Sequence, residues 1–328
     1  MAKIEKYVGE NKVNKLRDLI DAAQTIALFS HVNPDGDTCG SALALAAVLR
    51  KMNKDVELYC PSKVDGKLTF LKGWEQYDAP KKFDSYDLAV VIDCSDRSRI
   101  VQCLDMLDRC RSIAVIDHHK GAVMRCDVMI VRPKVCATAE LMYVILDALC
   151  PDMIDKEVAE LLFAGIVTDS GGFSFSSVSE TTFAVGAELI ARGVKSAPIF
   201  EHFLKSTRKE VFDLRNRVLS RTKFFFDGKL GIIVFFADDF AATNTCERDT
   251  EGIVNFVRDV CGVKIAVAMT ETENEKFKIS IRTDDDVDAS RIADIFDGGG
   301  HFNAAGCKIF GCYEEVEERL LKACGDWL

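Results

Sequence analysis

No run of about 18 apolar residues occurs in the 328-residue sequence, which excludes a membrane-spanning helix. No CxxC pair occurs among the 13 cysteines. Their odd number and scattered spacing argue against a disulfide framework or a zinc ribbon. Cys94, Cys103 and Cys261 sit in apolar surroundings, where cysteine serves as a small hydrophobe. An excess of positive charge is also absent, since 42 Lys and Arg face 52 Asp and Glu for a net charge of −10. That balance argues against a protein that coats long nucleic acid through many phosphate contacts, and leaves room for short nucleotides held by a metal and a few basic side chains. Proline is scarce, with 6 residues of which none lies beyond Pro198, so the composition shifts there. There is no internal repeat and no low-complexity segment.

What is present fits a soluble globular protein with room for two cores, at 48% hydrophobic and 29% charged residues. The opening MAKIEKYVGENK is charged and lacks an apolar signal core, which makes the cytoplasm the expected location and a membrane an unexpected partner. A helix is expected over residues 11–23, followed by a buried strand, Ile26-Ala27-Leu28-Phe29, that runs into His31-Val32-Asn33-Pro34-Asp35-Gly36-Asp37 and a buried helix over 40–49. Further apolar strands are expected at 56–59, at 87–93 ending on Asp93, and at 113–117 ending on Asp117. Short, fully apolar strands separated by helices indicate a parallel α/β sheet covered on both faces, with ligands at the carboxyl ends of its strands. Helices are expected over 137–149, 155–166 and 179–192. The remainder reads as a smaller α+β unit with strands at 230–236, 263–270 and 277–282. The expected division is residues 1–196, a connector helix within 197–223, and residues 224–328.

Histidine is the second scarcity: of 5 in the chain, four (His31, His118, His119 and His301) lie in segments already marked by acids or glycines. His31, Asp35 and Asp37 crowd one strand-to-helix turn, where a metal would relieve the repulsion of the carboxylates and where a helix cap by Asp37 or Thr38 is the plainer alternative. Asp93, with Asp96, Arg97 and Arg99 beyond it, ends a strand and by itself suits a turn cap equally well. Asp117-His118-His119 ends another strand, and Asp169 stands beside Gly171 and Gly172. Gly298-Gly299-Gly300-His301 offers unobstructed backbone N–H groups suited to an anion, with a tight turn as the alternative. Carboxylates and imidazoles without thiolates suit manganese or magnesium, with iron or cobalt next, and so many ligands exceed the needs of one ion.

In order along the chain, HVNPDGD, DCSD, DHH and TDSGGF resemble the four motifs of the DHH phosphoesterase superfamily, and GGGHFNAAG resembles the signature of its accessory C-terminal domain. The resemblance spans about Thr25 to Gly306, and the length and glycine loop are most similar to the oligoribonuclease/pAp-phosphatase group. It implies two divalent ions, manganese first, one held by His31, Asp35 and Asp93 and the other by Asp37, Asp93, His118 and Asp169. It implies that His119 faces the scissile phosphate with Asp117 orienting it. Gly299, Gly300, His301 and Arg282 would hold the substrate. The implied activity is hydrolysis of short single-stranded RNA or DNA to mononucleotides and of 3'-phosphoadenosine 5'-phosphate (pAp) to AMP, without action on long duplexes, with a second copy of the chain as a candidate partner. Cyclic-dinucleotide or pApA hydrolysis, RecJ-like exonuclease action and non-catalytic nucleotide binding are the alternatives. A family II pyrophosphatase is disfavoured, because its accessory domain lacks this glycine-histidine loop.

Overall fold

The computed structural model describes residues 8–64, 66–121, 123–272 and 275–328, with the side chain of His301 outside the described part. The chain divides into two units, Met1–Ser206 and Thr207–Leu328. In the first unit, α1 (Glu10–Ala22) leads to β1 (Thr25–Phe29), α2 (Gly36–Lys51), β2 (Asp55–Tyr59), β3 (Leu88–Ile92), β4 (Ser112–Asp117) and β5 (Val128–Val131). Three helices follow: α3 (Thr138–Leu149), α4 (Lys156–Asp169) and α5 (Glu180–Ala191). The strands form a five-stranded sheet in the order β2-β1-β3-β4-β5, parallel throughout.

Alternation along each strand sends successive side chains to opposite faces. Ile26, Leu28, Val90, Ile92 and Ile116 face the core shared with α2, α3 and α4. Ala27, Phe29, Ala89, Val91 and Val115 face a second core closed by Tyr86, Ile100 and Leu107 from the connecting segments. Both faces are covered, which explains the unbroken apolar runs at the centres of β1, β3 and β4.

Gly40 on α2 and Gly165 on α4 set the depth of the first layer. A Cβ on Gly40 would lie 2.5 Å from the Leu161 carbonyl oxygen, and one on Gly165 would lie 2.7 Å from the Ala139 Cβ. The backbones of α2, α3 and α4 therefore meet closer than any side chain permits. The expected strand over 56–59 and helix over 179–192 appear within a residue, but β5 carried no clear sequence signal. The helix expected to stop at Ile166 continues through Asp169.

In the second unit, α6 (Lys209–Leu219) is followed by β6 (Lys223–Phe225), β7 (Leu230–Phe235), α7 (Ile253–Arg258), β8 (Ile265–Thr272) and β9 (Lys276–Thr283). Then come α8 (Ala289–Asp294), β10 (Gly299–His301), β11 (Ala304–Phe310) and α9 (Tyr313–Gly325). The six-stranded sheet runs β10-β11-β9-β8-β7-β6, with β7 and β8 parallel and the other pairs antiparallel. The helix expected as a connector, α6, packs Leu214 and Val218 into this unit with Ile233, Phe235, Ile253 and Val257. The short α7 begins after a tight turn, because Gly252 immediately before it adopts the left-handed region.

Candidate metal centre

Since β1, β3 and β4 are neighbours, their carboxyl ends place His31, Asp93 and the Asp117–His119 segment side by side. Asp35 caps α2, its Oδ1 accepting from the Thr38 N–H at 2.9 Å. The cap is therefore real, but it is made by Asp35 rather than by Asp37 or Thr38. Asp37, in the first turn of α2, is fully buried and serves a different helix. Its Oδ2 accepts from the Thr138 N–H at 2.6 Å and its Oδ1 from the Ala139 N–H at 2.7 Å. The first residue before α3, Ala137, has no side chain able to satisfy those orphan donors, so a carboxylate from α2 does it across the fold.

Asp93 adopts a left-handed backbone (φ 58°) and is 1% exposed. It receives the Thr38 hydroxyl at 2.6 Å on Oδ2 and the Thr138 hydroxyl at 2.8 Å on Oδ1. Around it stand the His31 Nε2 at 3.5 Å, the His118 Nε2 at 3.6 Å and the His119 Nδ1 at 3.5 Å. Burial works to raise the Asp93 pKa, but these imidazoles and the Thr38 hydroxyl bring it below the usual carboxylate range.

His118 turns its Nδ1 toward the Val135 carbonyl oxygen at 3.1 Å, which leaves Nε2 facing Asp169 at 3.1 Å and Asp37 at 4.0 Å. A backbone partner on one imidazole nitrogen is the usual way to aim the other at a metal. Burial alone would lower its pKa, yet the Asp169 hydrogen bond and the Asp37 and Asp93 charges push it up to about 11. Burial and the Asp93 and Asp169 charges likewise raise Asp37 well above the ordinary carboxylate value. Four carboxylates (Asp35, Asp37, Asp93 and Asp169) and three imidazoles (His31, His118 and His119) crowd this pocket, an arrangement that a divalent cation would relieve.

Three overlapping sets of ligand atoms lie within 4.8 Å of one another: His31, Asp35 and Asp93; Asp93, His118 and His119; and Asp37, His118 and Asp169. Asp169 joins them from the last turn of α4 rather than from the glycine loop after it. The donor set is oxygen and imidazole nitrogen with no thiolate, which fits divalent ions of the manganese or magnesium kind. Asp117 stands beneath this layer, buried, with Oδ1 accepting from the His119 backbone N–H at 2.9 Å and from His119 Nδ1 at 2.8 Å. That hydrogen bond is the main reason the His119 pKa is raised.

Asp96 is a turn cap, accepting from the Ser98 N–H at 2.9 Å, and Arg97 pairs with Asp108. Arg99, noted in the sequence only as lying beyond Asp93, has its Nη2 2.9 Å from His31 Nδ1, a pairing the sequence did not indicate. Thr38 and Thr138 were also missed as holders of Asp93. Thr38 had a signal in its place after the Asp-Gly-Asp turn, and Thr138 had none, because its role arises only when α3 docks.

In the second unit, Arg282 on β9 pairs with Ala304 on β11, which pairs with His301 on β10, so all three share one register row. The Arg282 Nη1 donates to the Ile281 carbonyl oxygen at 3.0 Å. Gly300 has a chain-packing reason to be glycine, since a Cβ there would lie 2.5 Å from the Ala304 carbonyl oxygen. Gly299 has none: nothing lies within 4 Å of its would-be Cβ, so its backbone faces open space. Gly299 and Gly300 thus belong to an edge strand rather than to the tight turn that was the alternative, and the expectation for the His301 side chain falls outside the described residues.

Residues 25–166 match the DHH family, N-terminal domain, and residues 232–328 match the DHHA1 domain. The chain is 31% identical over 315 residues to a Thermus thermophilus protein named bifunctional oligoribonuclease and PAP phosphatase NrnA, covering 95% of this chain and 93% of the other. A Bacillus subtilis protein of the same name is 25% identical over 308 residues, covering 92% and 94%. The cyclic-di-AMP phosphodiesterase GdpP of Bacillus subtilis is 24% identical over 340 residues, covering 95% of this chain and 49% of that protein. Among solved structures, an exopolyphosphatase-related protein from Bacteroides fragilis superposes with a TM-score of 0.91 at 26% identity, covering 98% and 97%.

Proposed function

The chain belongs to the DHH family of phosphoesterases, and on that premise we propose that it hydrolyses short single-stranded oligonucleotides to mononucleotides and pAp to AMP. The observation that carries the reading is the sharing of Asp93 and His118 between overlapping ligand groups, beside relatives named oligoribonuclease and PAP phosphatase over nearly their whole length. DHH phosphoesterases use divalent metals. In this reading His31, Asp35 and Asp93 hold one ion and Asp37, Asp93, His118 and Asp169 the other, with manganese the first choice. Two such ions supply a lowered pKa for water and neutralise charge on the attacking and leaving oxygens of an in-line displacement.

The protein's own groups do the rest. His119, held through Nδ1 by Asp117 and made more basic by that hydrogen bond, is placed to offset the charge that grows on the phosphoryl oxygens. Thr38 and Thr138 fix both Asp93 oxygens so that the carboxylate need not reorganise. Arg282 and the open backbone at Gly299 receive the substrate's far phosphate. All 13 cysteines are free, as a reducing cytoplasm would keep them. No helix among the described residues is long and apolar enough to cross a membrane.

The test is a panel of pAp, pApA, dinucleotide RNA, dinucleotide DNA, cyclic di-AMP and pyrophosphate, each with manganese and with magnesium. Release of AMP from pAp and of mononucleotides from dinucleotides is expected. Turnover of only cyclic di-AMP or only pyrophosphate would overturn the reading.

A further inference from the structure

On one face of the second sheet, β9 and β11 align four rows: Arg282 with Ala304, Ser280 with Gly306, Lys278 with Lys308, and Lys276 with Phe310. The intervening residues of both strands, Ile279, Ile281, Cys307 and Ile309 among them, point the other way into the core. The rows are therefore a single surface. Successive rows are about 7 Å apart, so the surface runs about 20 Å from Arg282 to Lys276. A cavity of about 810 Å³ at its far part has Lys276, Lys278, Lys308, Phe310 and Arg319 in its lining, together with Ile295 and Phe296.

Three features give this surface a chemistry. Lys276, Lys278, Lys308 and Arg319 gather in a chain whose net charge is −10, so the patch opposes the character of the whole. Phe310 is 64% exposed, with the Lys276 ammonium 4.8 Å from its ring centroid. Between the cations and Arg282 the floor is small, Ser280 and Gly306, so an extended chain meets no obstruction there. A line of cations beside an exposed ring on a sheet face fits a single-stranded polyanion with stackable bases.

We propose that this face binds the single-stranded tail of RNA longer than a dinucleotide, with phosphates on Lys276, Lys278 and Lys308 and a base against Phe310. The inference rests on the oligonucleotide reading above and extends it from short ends to the tails of longer strands. Lys278 exchanges its pairing with Glu247, at 2.8 Å, for a phosphate. Because it binds backbone and ring faces, the site is indifferent to sequence and sensitive to salt.

The experiment compares the full-length protein with a Lys276→Glu/Lys278→Glu/Lys308→Glu variant and with Phe310→Ala. Lys278 and Lys308 are exposed and Lys276 is half-buried, so folding is checked by the melting profile of each variant. Fluorescence anisotropy measures binding of a labelled single-stranded RNA of about 12 nucleotides, in EDTA, across a salt series. Hydrolysis of pAp and of a dinucleotide is measured in parallel with manganese. The expected result is a loss of about tenfold or more in affinity for the longer RNA in the triple variant. The slope of log affinity against log salt should fall by about 2, from about 0.7 per phosphate contact. Dinucleotide and pAp turnover should remain at the wild-type rate. The proposal is overturned if the triple variant binds the longer RNA as the wild type does, or if the wild type binds it no more tightly than a dinucleotide. It is overturned too if phosphatidylserine vesicles, and not RNA, show the lysine-dependent binding. If the lysines govern RNA binding while no member of the hydrolysis panel turns over, the site stands and the catalytic reading falls.

Discussion

Gly40→Ala should disable the metal centre while leaving the first unit folded. The added Cβ would lie 2.5 Å from the Leu161 carbonyl oxygen and 3.3 Å from the Gly165 nitrogen, both backbone atoms that cannot swing aside. Restoring ordinary contact at 3.4 Å requires α2 and α4 to part by about 0.9 Å at that point. Overpacking of this kind costs about 1–3 kcal/mol, and replacing glycine inside a helix returns about 1 kcal/mol. The net loss of about 0–2 kcal/mol lowers the melting temperature by up to about 8 °C for a unit of this size. The metal site has no such tolerance. Asp37 stands one turn before Gly40 on α2, and Asp169 ends α4. Ligand distances must hold to about 0.2 Å, several times less than the required parting. Calorimetric titration with manganese should therefore show affinity falling far more than stability does, and turnover falling with it. Leu49→Ala, buried at the far end of the same helix, is the control: it should cost about 2–5 kcal/mol of stability yet leave affinity nearly intact. If Gly40→Ala binds manganese and turns over substrate as the wild type does, the glycine contact does not set the spacing of the ligands.

Asp93→Asn, which retains a residue tolerant of the left-handed backbone, should reduce turnover by more than the roughly 10–100-fold that loss of an outer-shell partner costs; near-normal rates with saturating manganese would remove its shared role. Thr138→Val should weaken manganese binding about 10–100-fold through the lost Asp93 hydrogen bond, while circular dichroism stays unchanged, and equal affinity would show that the hydroxyl is dispensable. Stripping divalent ions with EDTA should lower the melting temperature, and manganese at about 100 times its dissociation constant should return about 2.7 kcal/mol; an identical melting curve with and without metal would contradict binding at this centre. Arg282→Ala should raise KM for dinucleotides with little change in kcat, and a pure kcat defect would place the arginine elsewhere in the reaction.

Much of this was legible in the sequence because the strands of the first unit are buried on both faces. Their unbroken apolar runs mark where they end, and His31, Asp93, Asp117, His118 and His119 could be placed on one sheet edge by counting strands. Asp169 was legible as a chemical residue but not as a helical one, since the glycines after it suggested a loop while the carbonyl oxygens of Ile166 and Thr168 accept from the backbone N–H groups that follow and close the helix beyond it. Thr138 and the glycine contacts of α2 with α4 were invisible for a different reason. Their meaning depends on which helices touch, and no local pattern encodes that. The glycine triplet was ambiguous until the hairpin of β10 and β11 separated its members, with Gly300 held by strand packing and Gly299 left open.

The far-reaching cap that Asp37 supplies to α3 has a consequence for the order in which the proposed metal centre is assembled. Asp37 and the two N–H groups it accepts from lie 101 and 102 positions apart in the chain. Such a non-local contact closes late, after the intervening strands have paired. Until then the carboxylate has no fixed direction, Thr138 cannot reach Asp93, and the side chains proposed to hold one ion are scattered over separate segments. A partly folded chain therefore lacks the proposed metal centre, and the hydrogen bonds that finish the helix are the ones that complete it.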